Sequence, residues 1–166
     1  PLDWYEDIMS DIVIQLSSVT KQYRQGSIDV HALRGVDLKV KSGEFTVICG
    51  PSGSGKTTLL NLVGALDTPS TGTVSVDGTD LQSLGRMGRS RLRRDRIGFV
   101  FQAYNLMPVL TAYENAEAVL ALQGVPLKER REVVMALLND VGLKGLEDRR
   151  PDQLSGGQQQ RVAIAR

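Results

Sequence analysis

A glycine-rich run with one lysine has the residue types best suited to chemistry in this sequence. Residues 50–57 read GPSGSGKT and fit the phosphate-loop pattern G-x-x-x-x-G-K-[ST] without mismatch. Glycines let successive backbone N–H groups turn toward one anion, and a helix that starts there adds partial positive charge. The run therefore predicts a nucleoside triphosphate site. Its members are Gly50, Pro51, Ser52, Gly53, Ser54, Gly55, Lys56 and Thr57, followed by Thr58.

Two residues of this run have distinct expected roles. The Lys56 ammonium would reach the β- and γ-phosphates, and the Thr57 hydroxyl would bind Mg²⁺. The alternative is a glycine-rich surface turn with an exposed lysine. The flanks favour the phosphate loop, because residues 45–49 are apolar and predict a strand, while residues 58–63 predict a helix.

A second run, LSGGQ, precedes the last predicted helix. Its serine and glutamine have the spacing of a capping box, and its two glycines allow close approach of the backbone. A helix start carries partial positive charge, so the expected guest is an anion such as a terminal phosphate. The residues of the run are Leu154, Ser155, Gly156, Gly157 and Gln158.

Further elements must position these runs. The pattern predicts a helix from the glycine loop to about Ala65, and capped helical segments begin near Thr111 and Pro126. We expect a helical insert over about residues 105–152 within a mixed α/β body. The predicted strands cover residues 12–16, 36–40, 45–49, 73–76 and 97–101.

The composition excludes several classes of protein. The chain has 166 residues, 41% of them hydrophobic, and a net charge of +1, so nucleic acid is not an expected partner. A single cysteine excludes an internal disulfide, and we expect Cys49 to be buried in its strand. No membrane-spanning segment or signal peptide is predicted. Residues 1–11 are interpreted as an N-terminal extension, of which 1–8 lie upstream of a natural start.

The two runs together resemble the ATP-binding-cassette (ABC) ATPases, over about residues 12–166. The resemblance implies ATP and Mg²⁺ as ligands and adds two positions. Tyr23 matches the aromatic residue that stacks on adenine, and Gln102 matches the glutamine that touches Mg²⁺ and the attacking water. Without this context, Tyr23 is an exposed aromatic at a strand end and Gln102 is a loop amide. The implied catalytic residues are Lys56, Gln102 and Ser155, and the implied metal ligands are Thr57 and Gln102.

The resemblance also implies a fold and an assembly. The fold is an α/β P-loop core with a mixed or parallel sheet and flanking helices, an N-terminal antiparallel β portion and the helical insert, incomplete at the C-terminus. Two copies are expected to pair head to tail on ATP, so that Ser155 of one faces Lys56 of the other.

The family's Walker B strand, which ends in an aspartate, would follow Arg166, as would its catalytic glutamate, its D-loop and its switch histidine. We therefore expect residues 1–166 alone to have negligible ATPase activity and low stability. The absent strands would lie between 45–49 and 97–101, which would leave unpaired edges on both.

Residues 104–115 resemble the segment of transporter ATPases that receives a coupling helix from a membrane permease. The alternative is that they are simply the start of a helix whose apolar residues belong to the core. Residues 66–72 and 150–154 resemble the lipoprotein-release and macrolide-export type. A peripheral location on the cytoplasmic face of the inner membrane follows. The alternatives are a soluble, non-transport ABC ATPase acting on ribosomes or in regulation, and a nucleotide-binding regulator without turnover.

Two basic features are expected to lie outside the site. His31, the single histidine, precedes the glycine loop and is interpreted as structural or solvent-facing. The arginines between residues 86 and 96 are interpreted as a solvated face with some ion pairs, against a contact with anionic lipid or nucleic acid.

Overall fold

A long β-hairpin opens the chain. In this computed structural model, which describes residues 11–166, strand β1 (Ile12–Gln25) pairs antiparallel with strand β2 (Ile28–Lys41). The connection is tight, and Gly26 takes a φ of 65° there.

The hairpin confirms the strands predicted at 12–16 and 36–40, although both are longer than the sequence pattern indicated. The N-terminal extension predicted for residues 1–11 lies outside the described residues, apart from Asp11.

Two shorter strands complete the sheet. Strands β3 (Thr71–Val76) and β4 (Thr79–Asp80) extend it in the order β2-β1-β3-β4, and all neighbours are antiparallel. The strand predicted at 73–76 is confirmed. This sheet corresponds to the antiparallel β portion expected from the family resemblance.

The described residues also form five α-helices and one short 3₁₀ turn. None of these helices is long and apolar enough to cross a bilayer. The helices are α1 (Lys56–Val63), α2 (Arg86–Arg96), α3 (Ala112–Leu122), α4 (Leu127–Asp140) and α5 (Gly156–Ala165), and the 3₁₀ turn is Pro151–Gln153.

The chain divides into two units, one up to Arg93 and the other from Arg94. In the first unit, helix α1 packs against β2 and β3 and buries Leu59 and Leu62. In the second unit, helices α3, α4 and α5 pack around one apolar core. That core consists of Ala112, Ala116, Val134, Leu138, Leu143, Leu154, Val162 and Ala165.

Both predicted capping boxes are present in the second unit. The Glu114 amide donates to Thr111 Oγ1 over 3.2 Å, and the Thr111 amide donates to the Glu114 carboxylate over 2.8 Å. Ser155 and Gln158 make the same reciprocal pair at the start of α5. Each box satisfies backbone N–H groups that a helix start otherwise leaves unpaired.

The strands predicted at 45–49 and 97–101 are wrong, because neither segment forms a strand. A strand needs a neighbouring backbone to pair with, and no other described strand runs beside either segment. Phe45 is 91% exposed and Val100 is 58% exposed.

The expected burial of Cys49 is also wrong, since this residue is exposed. Its burial was inferred from the strand at 45–49, and without a sheet around that strand nothing in the described chain covers the thiol. The arginine-rich helix α2 has no buried residue, in agreement with a solvated face. Arg93 donates from Nη1 to the Ala65 carbonyl over 2.7 Å.

Leu138 tests the importance of the core in the second unit. It is fully buried, so Leu138→Ala should lower the free energy of unfolding by about 2–5 kcal/mol through lost burial and a cavity. Leu127→Ala on the same helix is the control, because Leu127 is 64% exposed and its loss should change stability by about 0.5 kcal/mol or less. Urea unfolding of the full-length protein measures both; equal losses would contradict the assigned core.

Candidate nucleotide-binding site

The glycine loop encloses the ammonium group of Lys56. Lys56 Nζ donates to the carbonyl oxygens of Gly50 at 2.8 Å and Pro51 at 2.7 Å, and lies 3.4 Å from Ser54 Oγ. Lys56 is half-buried and starts helix α1. This arrangement is not that of a freely exposed surface lysine, and it places a positive charge at the centre of the loop.

The N-terminus of α1 adds donors at the same place. Gly55 is the N-cap residue, and no side chain caps this helix. The first N–H groups of an α-helix have no partner inside the helix, so the amides of Lys56, Thr57 and Thr58 face outward from its start. Together with the ammonium they form a set of donors that fits a polyphosphate.

Gly55 must be glycine for two reasons. Its φ is +90°, a backbone conformation that L side chains rarely adopt. A Cβ at this position would lie 2.5 Å from the Ala32 carbonyl oxygen and 3.0 Å from Leu33 Cδ2. The missing side chain therefore lets the loop rest directly on strand β2.

An open depression of about 300 Å³ lies between the loop and β2. One wall is formed by Val30, His31 and Ala32, and the other by residues 52–58. His31 is exposed, as expected, but it also faces the candidate site, which the sequence analysis missed. The place of His31 beside the glycine loop depends on how strand β2 packs against that loop. A single histidine in a strand gives no sign of this in the sequence.

Tyr23 lies beside this depression. It pairs across the hairpin with Val30, which lines the depression, and 38% of its surface is exposed. Its hydroxyl donates to Asp67 Oδ2 over 2.9 Å. The ring is therefore held at one end and open on its surface, which suits stacking by an aromatic base.

Lys21 and Asp67 orient Tyr23, a role that the sequence predicts for neither residue. Lys21 Nζ donates to Asp67 Oδ1 at 2.7 Å and to the Thr68 carbonyl at 2.7 Å. The same ammonium lies 4.8 Å from the centroid of the Tyr23 ring. Asp67 belongs to the segment 66–72, whose sequence was interpreted only through its family resemblance, and its contact with β1 joins residues too far apart in the chain to be seen there.

The hydrogen bonds of this cluster shift two pKa values in opposite directions. Burial and the bond to Asp67 raise the pKa of Tyr23, so its hydroxyl stays protonated. Burial alone would raise the pKa of Asp67 as well. Bonds from Lys21, the Thr68 amide and Tyr23 outweigh that effect and lower the pKa of Asp67 below its ordinary value of 3.8.

The LSGGQ run forms the start of α5 in the second unit. Ser155 Oγ accepts from the Gln158 amide at 3.3 Å, and the Gln158 side chain accepts from the Ser155 amide at 2.8 Å. Since Ser155 Oγ is the acceptor in this bond, its own O–H remains able to donate outward. Ser155, Gly156 and Gly157 are exposed, so the helix start presents a hydroxyl and free amides to an anion.

Leu154 has a different role from its neighbours. It is 6% exposed and belongs to the apolar core, where it anchors the run. The Gln159 side chain donates to the carbonyls of Pro151 at 2.9 Å and Leu154 at 3.1 Å, which fixes the preceding turn. The core thus determines where Ser155 and the glycines lie.

The predicted site residues fall into two groups. Tyr23, Lys56 and Thr57 belong to the first unit with the whole glycine loop, whereas Gln102 and the LSGGQ run belong to the second. Thr57 and Gln102 are both exposed. Their hydroxyl and amide oxygens are hard donors of the kind that Mg²⁺ accepts, and their role as metal ligands stays a prediction.

Comparison with known proteins finds the same family by model and by individual relatives. The ABC transporter family model matches residues 33–166. The macrolide export ATP-binding/permease protein of Marinobacter nauticus is 49% identical over 154 residues, which cover 93% of this chain and 24% of that protein. The lipoprotein-releasing system ATP-binding protein of Legionella pneumophila is 43% identical over 158 residues, which cover 95% of this chain and 70% of that protein.

A solved structure has the same fold. It is a dimeric ATP-binding cassette in a post-hydrolysis state, bound to ADP and Pi, with a TM-score of 0.85 and 46% identity. The match covers 92% of this chain and 67% of that chain. The predicted α/β ABC ATPase fold is confirmed, and this chain spans only part of the length of these relatives.

Gly55→Ala tests the contact between loop and sheet. The change adds a Cβ against the Ala32 carbonyl, so the loop must move away from β2 and ATP affinity should fall by at least about tenfold. Gly43→Ala is the matched control, since Gly43 also has a positive φ of 73° but has open space around it. Calorimetric titration of the full-length protein with ATP measures both, and equal affinities would contradict the assigned packing.

Asp67→Asn tests the cluster that holds Tyr23. Because the pKa of Asp67 is lowered in the folded protein, its charged form stabilises the fold above pH 3.8 and this stabilisation is lost as the pH falls through the lowered value. The variant should therefore be less stable than the parent at neutral pH, and the difference should shrink in acid. Unfolding free energies between pH 7 and pH 3 measure it; a difference independent of pH would contradict the lowered pKa.

Proposed function

Because this chain belongs to the ABC transporter family, we propose that it is the ATP-binding and ATP-hydrolysing part of a transporter that drives a membrane permease. The observation that carries the proposal is the Lys56 ammonium enclosed by the glycine loop at the uncapped start of α1. A loop built in this way supplies charge and N–H donors to a triphosphate.

Nucleotide binding uses the first unit. The amides at the start of α1 and the Lys56 ammonium bind the phosphates, and the half-exposed Tyr23 ring stacks on the adenine. The Tyr23 hydroxyl is already satisfied by Asp67, so only the ring face is offered to the base. The depression beside Val30 and His31 gives room for the nucleoside.

Hydrolysis uses charge and positioning. Phosphoryl transfer spreads negative charge over the transferred group, and Lys56 stabilises that charge. Thr57 and Gln102 are the proposed Mg²⁺ ligands, and the metal supplies neutralisation of phosphate charge when bound. Gln102 also orients the attacking water. The negligible activity expected of residues 1–166 alone stays a prediction.

A second copy of the protein completes the site. The capped start of α5 presents Ser155 O–H and the amides of Gly156 and Gly157, which are complementary to a γ-phosphate held on the Lys56 loop of a sister molecule. We infer a head-to-tail homodimer that closes on ATP. The dimeric state of the similar cassette bound to ADP and Pi supports this assembly.

The permease is inferred from the exposed surface at residues 104–115. Met107 is 46% exposed and Val109 is 72% exposed, so this segment offers apolar side chains to a partner. The similar macrolide-export and lipoprotein-releasing proteins support a transporter of that type. The proposed location is the cytoplasmic face of the inner membrane, as a peripheral subunit, with no nucleic acid partner.

Ser155→Ala tests the shared site. In the proposed dimer, Ser155 contacts the nucleotide that the sister molecule holds. The Ser155→Ala variant should therefore bind ATP at its own glycine loop with the affinity of the parent. Its ATP-dependent dimer should be weaker by at least about tenfold, because a hydrogen bond to a charged phosphate is lost. Sedimentation of full-length protein with and without ATP measures the dimer.

The control is Gln160→Ala, which removes an exposed side chain from the same helix. It should dimerise like the parent. An unchanged dimer in Ser155→Ala, or equal weakening in both variants, would contradict the head-to-tail arrangement.

A further inference from the structure

Two consecutive left-handed residues follow Gln102 closely. Tyr104 has a φ of 58° and Asn105 a φ of 51°, and neither is glycine. Their amides close a tight turn, with bonds of 3.0 Å from Tyr104 to the Phe101 carbonyl and 2.6 Å from Asn105 to the Ala103 carbonyl. Side chains in this backbone region have a conformational cost, so contacts from elsewhere must hold the turn.

Arg166 supplies such contacts from the end of α5. Its Nη1 donates to the Asn105 carbonyl at 2.6 Å and its Nη2 donates to the Tyr104 carbonyl at 3.0 Å. Its own amide continues the helix by bonding to the Val162 carbonyl at 3.0 Å. The planar guanidinium binds two successive carbonyls at once, so it fixes both the position and the orientation of the turn relative to α5.

The side chain of Tyr104 reaches the opposite end of the same helix. A Cβ built on Gly156 would lie 3.6 Å from Tyr104 Oη, which is ordinary van der Waals contact. Gly156 is the first residue of α5 and follows Ser155. The Tyr104 hydroxyl thus lies close to the start of α5, and the two Arg166 bonds hold the turn at the end of the same helix.

Asn115 fixes the chain beyond the turn. This residue is fully buried on α3, its Oδ1 accepts from the Met107 amide at 2.8 Å, and its Nδ2 donates to the carbonyls of Met107 and Leu110, each at 3.1 Å. The exposed side chains of Met107 and Val109 are therefore presented by a segment, residues 104–111, that is held on α5 at one end and on α3 at the other.

We propose that Arg166 is a positioning residue that couples residues 104–111 to Ser155. The inference rests on the proposed function, in which this segment contacts the permease and Ser155 contacts the nucleotide of a sister molecule. An α-helix moves as a rigid element, so a displacement of the turn is transmitted by the two carbonyl bonds to α5 and hence to its start. Arg166 touches neither ligand in this scheme and acts through Tyr104 and Asn105.

Arg166→Lys in the full-length protein tests the coupling. Lysine keeps the charge but cannot present two N–H groups in a fixed fork. The turn therefore loses its pair of hydrogen bonds to the end of α5. We expect ATPase activity without permease to stay within about twofold of the parent. The increase in ATPase activity caused by the reconstituted permease should fall by at least about fivefold.

Arg161→Lys is the matched control. Arg161 lies on α5 and, like Arg166, donates to two backbone carbonyls; its Nη1 bonds to those of Val141 at 3.0 Å and Gly142 at 3.3 Å. These carbonyls lie at the end of α4, away from the turn in the chain. Arg161→Lys should therefore keep the stimulation by permease, whatever its effect on stability.

The possible results separate this inference from the proposed function. If the parent protein is not stimulated by permease, the proposed function fails and the coupling fails with it. If the parent is stimulated and Arg166→Lys is stimulated equally, only the coupling is wrong. A proportional loss of basal and stimulated activity, or the same loss in Arg161→Lys, would show a merely structural role and would also overturn it.

A rescue experiment tests the physical mechanism. Glycine adopts a positive φ without the cost borne by asparagine, so Asn105→Gly should relieve the need for the Arg166 fork. In the Arg166→Lys background, Asn105→Gly should restore part of the stimulation by permease. A complete failure to restore it would contradict the claim that Arg166 acts by holding the left-handed turn.

Discussion

The enclosure of the Lys56 ammonium by its own loop is the interaction on which the first unit depends. The loop closes around this charge only because Gly55 has no side chain and can rest on the Ala32 carbonyl of β2. The hairpin is therefore part of the site as well as a support for it. It fixes the loop, places His31 and Val30 on one wall, and carries Tyr23 beside them.

The second unit applies the same physics to another helix start. In α1 the first amides have no side-chain cap, which leaves them for a ligand, whereas in α5 the Ser155–Gln158 box satisfies the amides of Ser155 and Gln158 and leaves a serine O–H and two glycine amides. The apolar core then sets the position of α5 through Leu154 and Val162. In the proposed dimer, the first unit of one copy and the second unit of the other would both supply donors to a bound γ-phosphate.

The local signals in the sequence were accurate where structure is determined by neighbours in the chain. The glycine loop, the helix after it and both capping boxes depend on residues within a few positions and were predicted correctly. The segments 45–49 and 97–101 were not, because an apolar run becomes a strand only beside a partner strand, and no described strand lies beside them. The Asp67 cluster, the wall at His31 and the Arg166 fork join residues far apart in the chain, so no pattern of spacing could indicate them.

The role of the Lys56 ammonium is tested most directly by the affinity of the full-length protein for ATP when Lys56 is replaced by alanine, compared with Lys39→Ala, which removes an exposed lysine from β2. We expect Lys56→Ala to lower the affinity by at least about tenfold, since a charged hydrogen-bond donor to the phosphates is lost, while Lys39→Ala leaves it unchanged. Equal ATP affinities for the parent and Lys56→Ala, measured by calorimetric titration, would contradict the binding of phosphate by the Lys56 loop.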